Sequence, residues 1–136
     1  MTTGQMGACK IGVSPDTFAR AFSRVTSKNA TAIVQSWDHC TEFTPTMLAL
    51  LPHIAAELEL SVYAGEYYTL DAVFYKDKDL DYFNADQTYA KCIAVAYEHE
   101  NAWKGTAVEM NKLQLFNAPL KVLEHPKSRR SAYGAC

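Results

Sequence analysis

With 136 residues, 49% of them apolar, the chain has the length of one ordinary domain and enough apolar material for a real core. Thirteen basic and fifteen acidic residues leave a formal net charge of -2, which excludes both a generally basic nucleic-acid coat and an acidic disordered chain. No apolar run reaches the roughly 18 residues that span a bilayer, and the polar start MTTGQMGACK lacks the apolar stretch of a signal peptide, so the expectation is a soluble cytoplasmic protein with no membrane partner.

The start of the chain, residues 1–13, is rich in glycine and polar residues and reads as a flexible arm. Ser14 before Pro15 and Asp16 marks a helix start, and Phe18 and Phe22 fall four apart, on one face of a helix running to about Val25. Ala32, Ile33, Val34 and Trp37 allow either a short helix or a short strand. Met47, Leu50, Leu51, Ile54 and Leu58 then recur at helical spacing, with Thr44 and Pro45 as cap and first-turn residue and Pro52 as a kink or break.

Residues 67–75, YYTLDAVFY, are aromatic and β-branched and predict a strand with Asp71 in its middle. The segment 76–87, rich in Asp and Lys, predicts a solvated connection. CIAVAY, residues 92–97, predicts a central strand covered on both faces, with charge gathered at its end in Glu98, His99 and Glu100. Gly105 and Thr106 open a helix to about Phe116, and residues 118–123, APLKVL, predict a last strand. The expected fold class is α/β, a mixed central β-sheet flanked by helices, in one domain over residues 14–125 with a polar, basic tail from 126 to 136.

Cys9, Cys40, Cys92 and Cys136 are far apart, with no CxxC pair, and are expected to be free thiols, Cys92 as a small buried hydrophobe. His39, His53, His99 and His125 show no HxxxH or HExxH spacing, so a metal would be held by carboxylates. Side chains two apart on a strand share a face, which aims Glu98 and Glu100 at one spot while His99 points the other way, toward solvent or a helix. If the strand with Asp71 lies alongside, a third carboxylate joins them, and such a cluster needs a cation or protons. Oxygen-only ligands select Mg2+ or Mn2+, and a hard divalent cation with waters left on it suits phosphodiester hydrolysis.

LLPHIAAELEL, YYTLDAVFYKD, CIAVAYEHEN and TAVEMNKLQLFNAPLKVL follow one another in an order that resembles the PD-(D/E)XK nucleases, over about residues 45–123. The resemblance implies a restriction-endonuclease-like sheet and a metal-dependent nuclease acting on nucleic acid, DNA foremost. It implies Asp71 as the residue that bridges the metal, Glu98 as the second ligand and Glu57 as the helical carboxylate. Glu100 takes the last motif position, where lysine is commoner, and no proline precedes Asp71. The general base is then Glu100, the favoured choice, or Lys112 reaching in from the next helix. Glu109 and Lys112 share a helical face, either as a surface ion pair or beside the site.

Phosphate contacts would come from Lys121, Lys127, Arg129 and Arg130, or from Lys104 and Lys112, with a frayed basic tail as the alternative. Cutting both strands of a duplex would call for a homodimer. Two rivals stay open: a metal-dependent phosphohydrolase acting on small phosphates, and a non-enzymatic nucleic-acid-binding or assembly module. A P-loop NTPase is excluded, because no GxxxxGK[ST] is present.

Overall fold

The computed structural model describes residues 12–84, 87–101 and 105–125. The expected tail, 126–136, lies outside them, as does all of the arm except Gly12 and Val13, and Val13 packs against the core. Three helices come first: α1 (Pro15–Lys28), α2 (Ala30–Trp37) and α3 (Cys40–Glu57). Strands β1 (Ser61–Tyr67) and β2 (Leu70–Tyr75) follow, then a 3-10 turn (Asp77–Asp79) and the pair β3 (Leu80–Asn84) and β4 (Gln87–Ala90). The chain closes with β5 (Val95–His99), α4 (Thr106–Gln114) and β6 (Leu120–Glu124).

The main sheet has the order β1-β2-β5-β6, antiparallel from β1 to β5 and parallel between β5 and β6, whose crossover is α4. This is the expected α/β class with a mixed sheet. β3 and β4 form a separate two-stranded sheet.

Local chemistry explains the helix ends. The Ser14 hydroxyl accepts from the Thr17 amide at 3.1 Å, and Pro15 supplies the first-turn residue whose missing N–H costs nothing there. α3 begins at Cys40, earlier than expected, so Thr44 is not its cap, and both Pro45 and Pro52 lie inside one helix. Starting earlier places the buried Phe43 on the same stripe as Met47, Leu50, Leu51 and Ile54, and packing outweighs the proline penalty of about 3 kcal/mol. The helix ends in a Schellman motif: Leu60 N–H donates to Ala55 O at 2.8 Å and Glu59 N–H to Ala56 O at 3.1 Å, with Glu59 at φ 55 in the position that usually takes glycine.

The segment 67–75 is not one strand. It is the turn of a hairpin, with Tyr67 opposite Leu70 and Tyr68-Thr69 between them, so Asp71 is the second residue of β2. The stretch 76–87 is likewise no simple connection, since it holds the 3-10 turn and most of the β3–β4 pair. The expectation of a free thiol is corrected at Cys92, which is disulfide-bonded. No described helix is long and apolar enough to cross a membrane.

Both faces of the main sheet are covered, as the apolar run in β5 requires. Phe74, Val95 and Tyr97 face α1 and α3, meeting Phe18, Leu51 and Ile54. Val73, Tyr75 and Ala96 face the other way, against Leu113 of α4 and Ala90 at the end of β4. Leu51, Ile54, Phe74 and Val95 are fully buried, each contributing roughly 1.5–3 kcal/mol by leaving water.

Candidate active site

The site lies where β2 begins and β5 ends. Ala72 pairs with Tyr97 in the antiparallel ladder, so the next pair outward is Asp71 opposite Glu98, on the sheet face that α4 covers. The two carboxylates predicted from separate strands are therefore direct neighbours. Asp71 Oδ2 accepts from the backbone amide of His99 at 2.8 Å. Glu98 is only 1% exposed, and its carboxyl is raised to about 8, by burial first and then by its hydrogen bond and charge repulsion with Asp71, with Lys112 opposing.

α4 brings the counter-charge. Lys112 Nζ lies 2.7 Å from Glu109 Oε2, 3.1 Å from Glu98 Oε1 and 3.1 Å from the carbonyl oxygen of Thr69. One ammonium thus ties the helix to the β1–β2 turn and to the buried glutamate. Burial lowers the Lys112 pKa, but Glu109 and then Glu98 raise it by more, so the side chain stays charged at neutral pH. Glu109 and Lys112 thus form the ion pair their spacing allows, and that pair lies against Glu98.

Glu100 continues the line of β5, its amide donating to Glu124 O at 3.0 Å. Its carboxylate lies against Gly105, just ahead of α4, in space that any Cβ on residue 105 would occupy. A side chain at residue 105 would push the flexible Glu100 carboxylate aside, a contact the sequence did not disclose.

His99 points to the opposite face, toward a helix as alternation requires. Its ring lies 5.6 Å from that of Phe43 on α3, Nδ1 pairs with Glu124, and Nε2 bonds Asn101 Oδ1 at 2.8 Å. Asn101 in turn donates to Thr44 Oγ1 at 2.6 Å. Burial lowers the His99 pKa, but Glu124 and then Asn101 outweigh it, and the net shift is upward. Tyr97, which faces the same way, is packing: its ring meets Phe18 and Phe74, and burial, then Glu124 and Asp71, push its hydroxyl well above the ordinary tyrosine range.

Glu57 does not join the site, which corrects its expected role as a ligand. Its Oε2 pairs with Arg24 Nε at 3.0 Å on the α1–α3 seam. The reason is direction. The start of α3 touches the site end of the sheet through Thr44 and Phe43, and Glu57, thirteen residues on, is about 20 Å further along the helix at 1.5 Å per residue. Lys121 is exposed on β6 opposite Ala96, further down the sheet, while Lys104, Lys127, Arg129 and Arg130 lie outside the described residues.

Among the described residues no three His, Cys, Asp or Glu side chains form a group set to hold a metal ion. What converges is a carboxylate pair and an ammonium. Comparison of the chain with family models, with curated proteins and with solved structures finds no match.

Proposed function

We propose that this chain is a metal-dependent nuclease of the PD-(D/E)XK type, hydrolysing phosphodiester bonds of nucleic acid, DNA foremost, at Asp71 and Glu98. The observation that carries the reading is the direct opposition of these two carboxylates on β2 and β5, with Lys112 delivered to Glu98 from the α4 crossover. The antiparallel-then-parallel sheet with that crossover supports the finer, restriction-endonuclease-like description of the fold.

Mg2+ or Mn2+ fits this donor set, because such ions are commonly held by one or two carboxylates, with water and substrate phosphate completing the shell. A cation beside Asp71 and Glu98 would offset their mutual repulsion, which adds to burial in raising the Glu98 carboxyl to about 8. Bound there, the ion would polarise the phosphate and acidify a water. The protein's own part is then distinct. The His99 amide fixes Asp71. Lys112, kept charged by Glu109, stabilises negative charge building on the phosphate rather than taking up a proton. Glu100 remains the acceptor of the proton from the attacking water, turning from Gly105 to do so.

The test is cleavage of DNA and RNA beside hydrolysis of free nucleotides, with Mg2+ or Mn2+ and with a chelator. Asp71→Asn and Glu98→Gln should abolish cleavage while the circular dichroism spectrum stays that of wild type. Full activity after exhaustive chelation, or unchanged rates in both variants, would overturn the reading.

A further inference from the structure

At the tip of the β1–β2 hairpin, two residues before Leu70 and three before Asp71, Tyr68 holds φ 58. A bulky side chain rarely accepts this left-handed conformation, which glycine or asparagine would take without strain in a two-residue turn. The strain is not offset by burial, since the Tyr68 ring is 69% exposed. It is supported from below. The Tyr67 ring meets it edge-on at 5.0 Å and 79°, Tyr63 meets Tyr67 at 6.2 Å and 73°, and the Tyr67 hydroxyl is fixed by the Ala90 amide at 3.0 Å. The next residue, Thr69, supplies the carbonyl that holds Lys112.

An exposed aromatic ring in a strained backbone conformation, braced by two further rings and joined within one residue to the charged centre of the site, is built for contact with a ligand. From this placement we infer that Tyr68 is a stacking platform for an unpaired base of the nucleic-acid strand whose phosphate lies at Asp71, Glu98 and Lys112. The proposal rests on the nuclease reading and adds a substrate class: a single strand, or a duplex opened at the cut. A paired base has both faces covered by its neighbours, whereas an unpaired one offers a free π-face, and stacking on an aromatic side chain does not depend on which base is present. Asp71 is three residues after Tyr68, so the two lie at most about 10 Å apart along the chain, close enough for one strand to meet both.

The experiment uses the full chain and a short single-stranded DNA carrying 2-aminopurine, whose fluorescence is quenched on stacking, first with chelator to measure binding and then with Mg2+ to measure cleavage. Tyr68→Asn is the informative variant, because asparagine tolerates the left-handed conformation and the fold is kept, as a thermal melt would verify. It should weaken binding by about tenfold, abolish the quench and raise KM with kcat little changed. Tyr68→Phe and Tyr68→Trp should restore all three. Wild-type affinity, quench and KM in Tyr68→Asn would overturn the stacking role even if cleavage stands. Tyr68-dependent quenching with no cleavage under any metal would uphold stacking and remove the nuclease reading. Absence of both binding and cleavage would overturn both.

Discussion

The backbone amide of His99 donates to Asp71 Oδ2 at 2.8 Å, while the imidazole of the same residue lies on the other face of β5 between Glu124 and Asn101. One residue therefore joins the Asp71 carboxylate to the helical layer. The ring fixes the end of β5 against α3, and the amide at that end fixes Asp71.

His99→Ala should act through both faces. It strips the half-buried Glu124 of its partner, and leaving one side of a mostly buried pair uncompensated costs up to about 3 kcal/mol. In a urea melt the midpoint should fall, and it should recover in part in the His99→Ala, Glu124→Ala double variant, where no unpaired carboxylate remains. Cleavage should drop in the single variant because Asp71 loses its fixed orientation. An unshifted midpoint would show that the pair does not hold the end of β5.

Stability of the metal-free protein should fall as pH rises from about 4.5 to about 8. Glu98 keeps its proton in the folded state up to about 8 but loses it near 4.5 when unfolded, so over that window the folded state binds the extra proton and deprotonation is destabilising. His99 acts in the same direction. Its folded pKa lies above the ordinary 6.5, so its contribution is complete below 6.5 and is lost as pH passes the raised value. Melting temperature measured in chelator should decline across this range, and Glu98→Gln should flatten most of the slope. A melting temperature that rises from pH 5 to 8 would show that Glu98 is not held protonated.

The features legible in the sequence were those with a local chemical signature. Ser14-Pro15 marked a helix start, CIAVAY a central strand buried on both faces, observed three residues later at Val95–His99, and residues 105–116 a helix, because capping, continuous apolarity and glycine punctuation act within a few residues. Asp71 and Glu98 could be named because a carboxylate in an apolar strand needs a partner. Their register could not, since it depends on β2 pairing with β5. The β1–β2 turn was missed because Tyr68-Thr69 contains neither glycine nor asparagine, the residues that normally announce a two-residue turn. Glu57 was misplaced because helical spacing gives a face but not which end of the helix meets the site. The disulfide at Cys92 leaves no trace in spacing alone.

Reduction of that disulfide should lower stability by about 2–4 kcal/mol, the typical contribution of a native crosslink. Thiol labelling of the denatured, unreduced protein should leave Cys92 unmodified, and a melt with added reductant should shift downward. Full labelling at Cys92 without reductant, with an unchanged melt, would return it to the class of free thiols.

Under the proposed nuclease reading Lys112 and Glu100 divide the remaining chemistry, so their variants should differ in kind as well as in size. Lys112→Met removes the ammonium that neutralises Glu98 and Glu109 and holds Thr69 O. If its role is to stabilise charge, kcat should fall about 100-fold at every pH, with the shape of the pH profile retained, and Lys112→Arg should recover part of the rate. Because Glu109 and Glu98 hold its pKa above the ordinary 10.5, wild-type activity should show no alkaline loss from Lys112 until beyond that pH. Glu100→Gln should instead change the profile itself. A glutamate that accepts a proton gives an acid limb, where the rate falls as the carboxylate is protonated, and the amide cannot reproduce that limb. Gly105→Ala is the accompanying control. Its Cβ occupies the space of the Glu100 carboxylate and must displace it, altering the rate without removing a titrating group. An acid limb that survives in Glu100→Gln but disappears in Lys112→Met would exchange the two roles, making Lys112 the proton acceptor despite its neighbours.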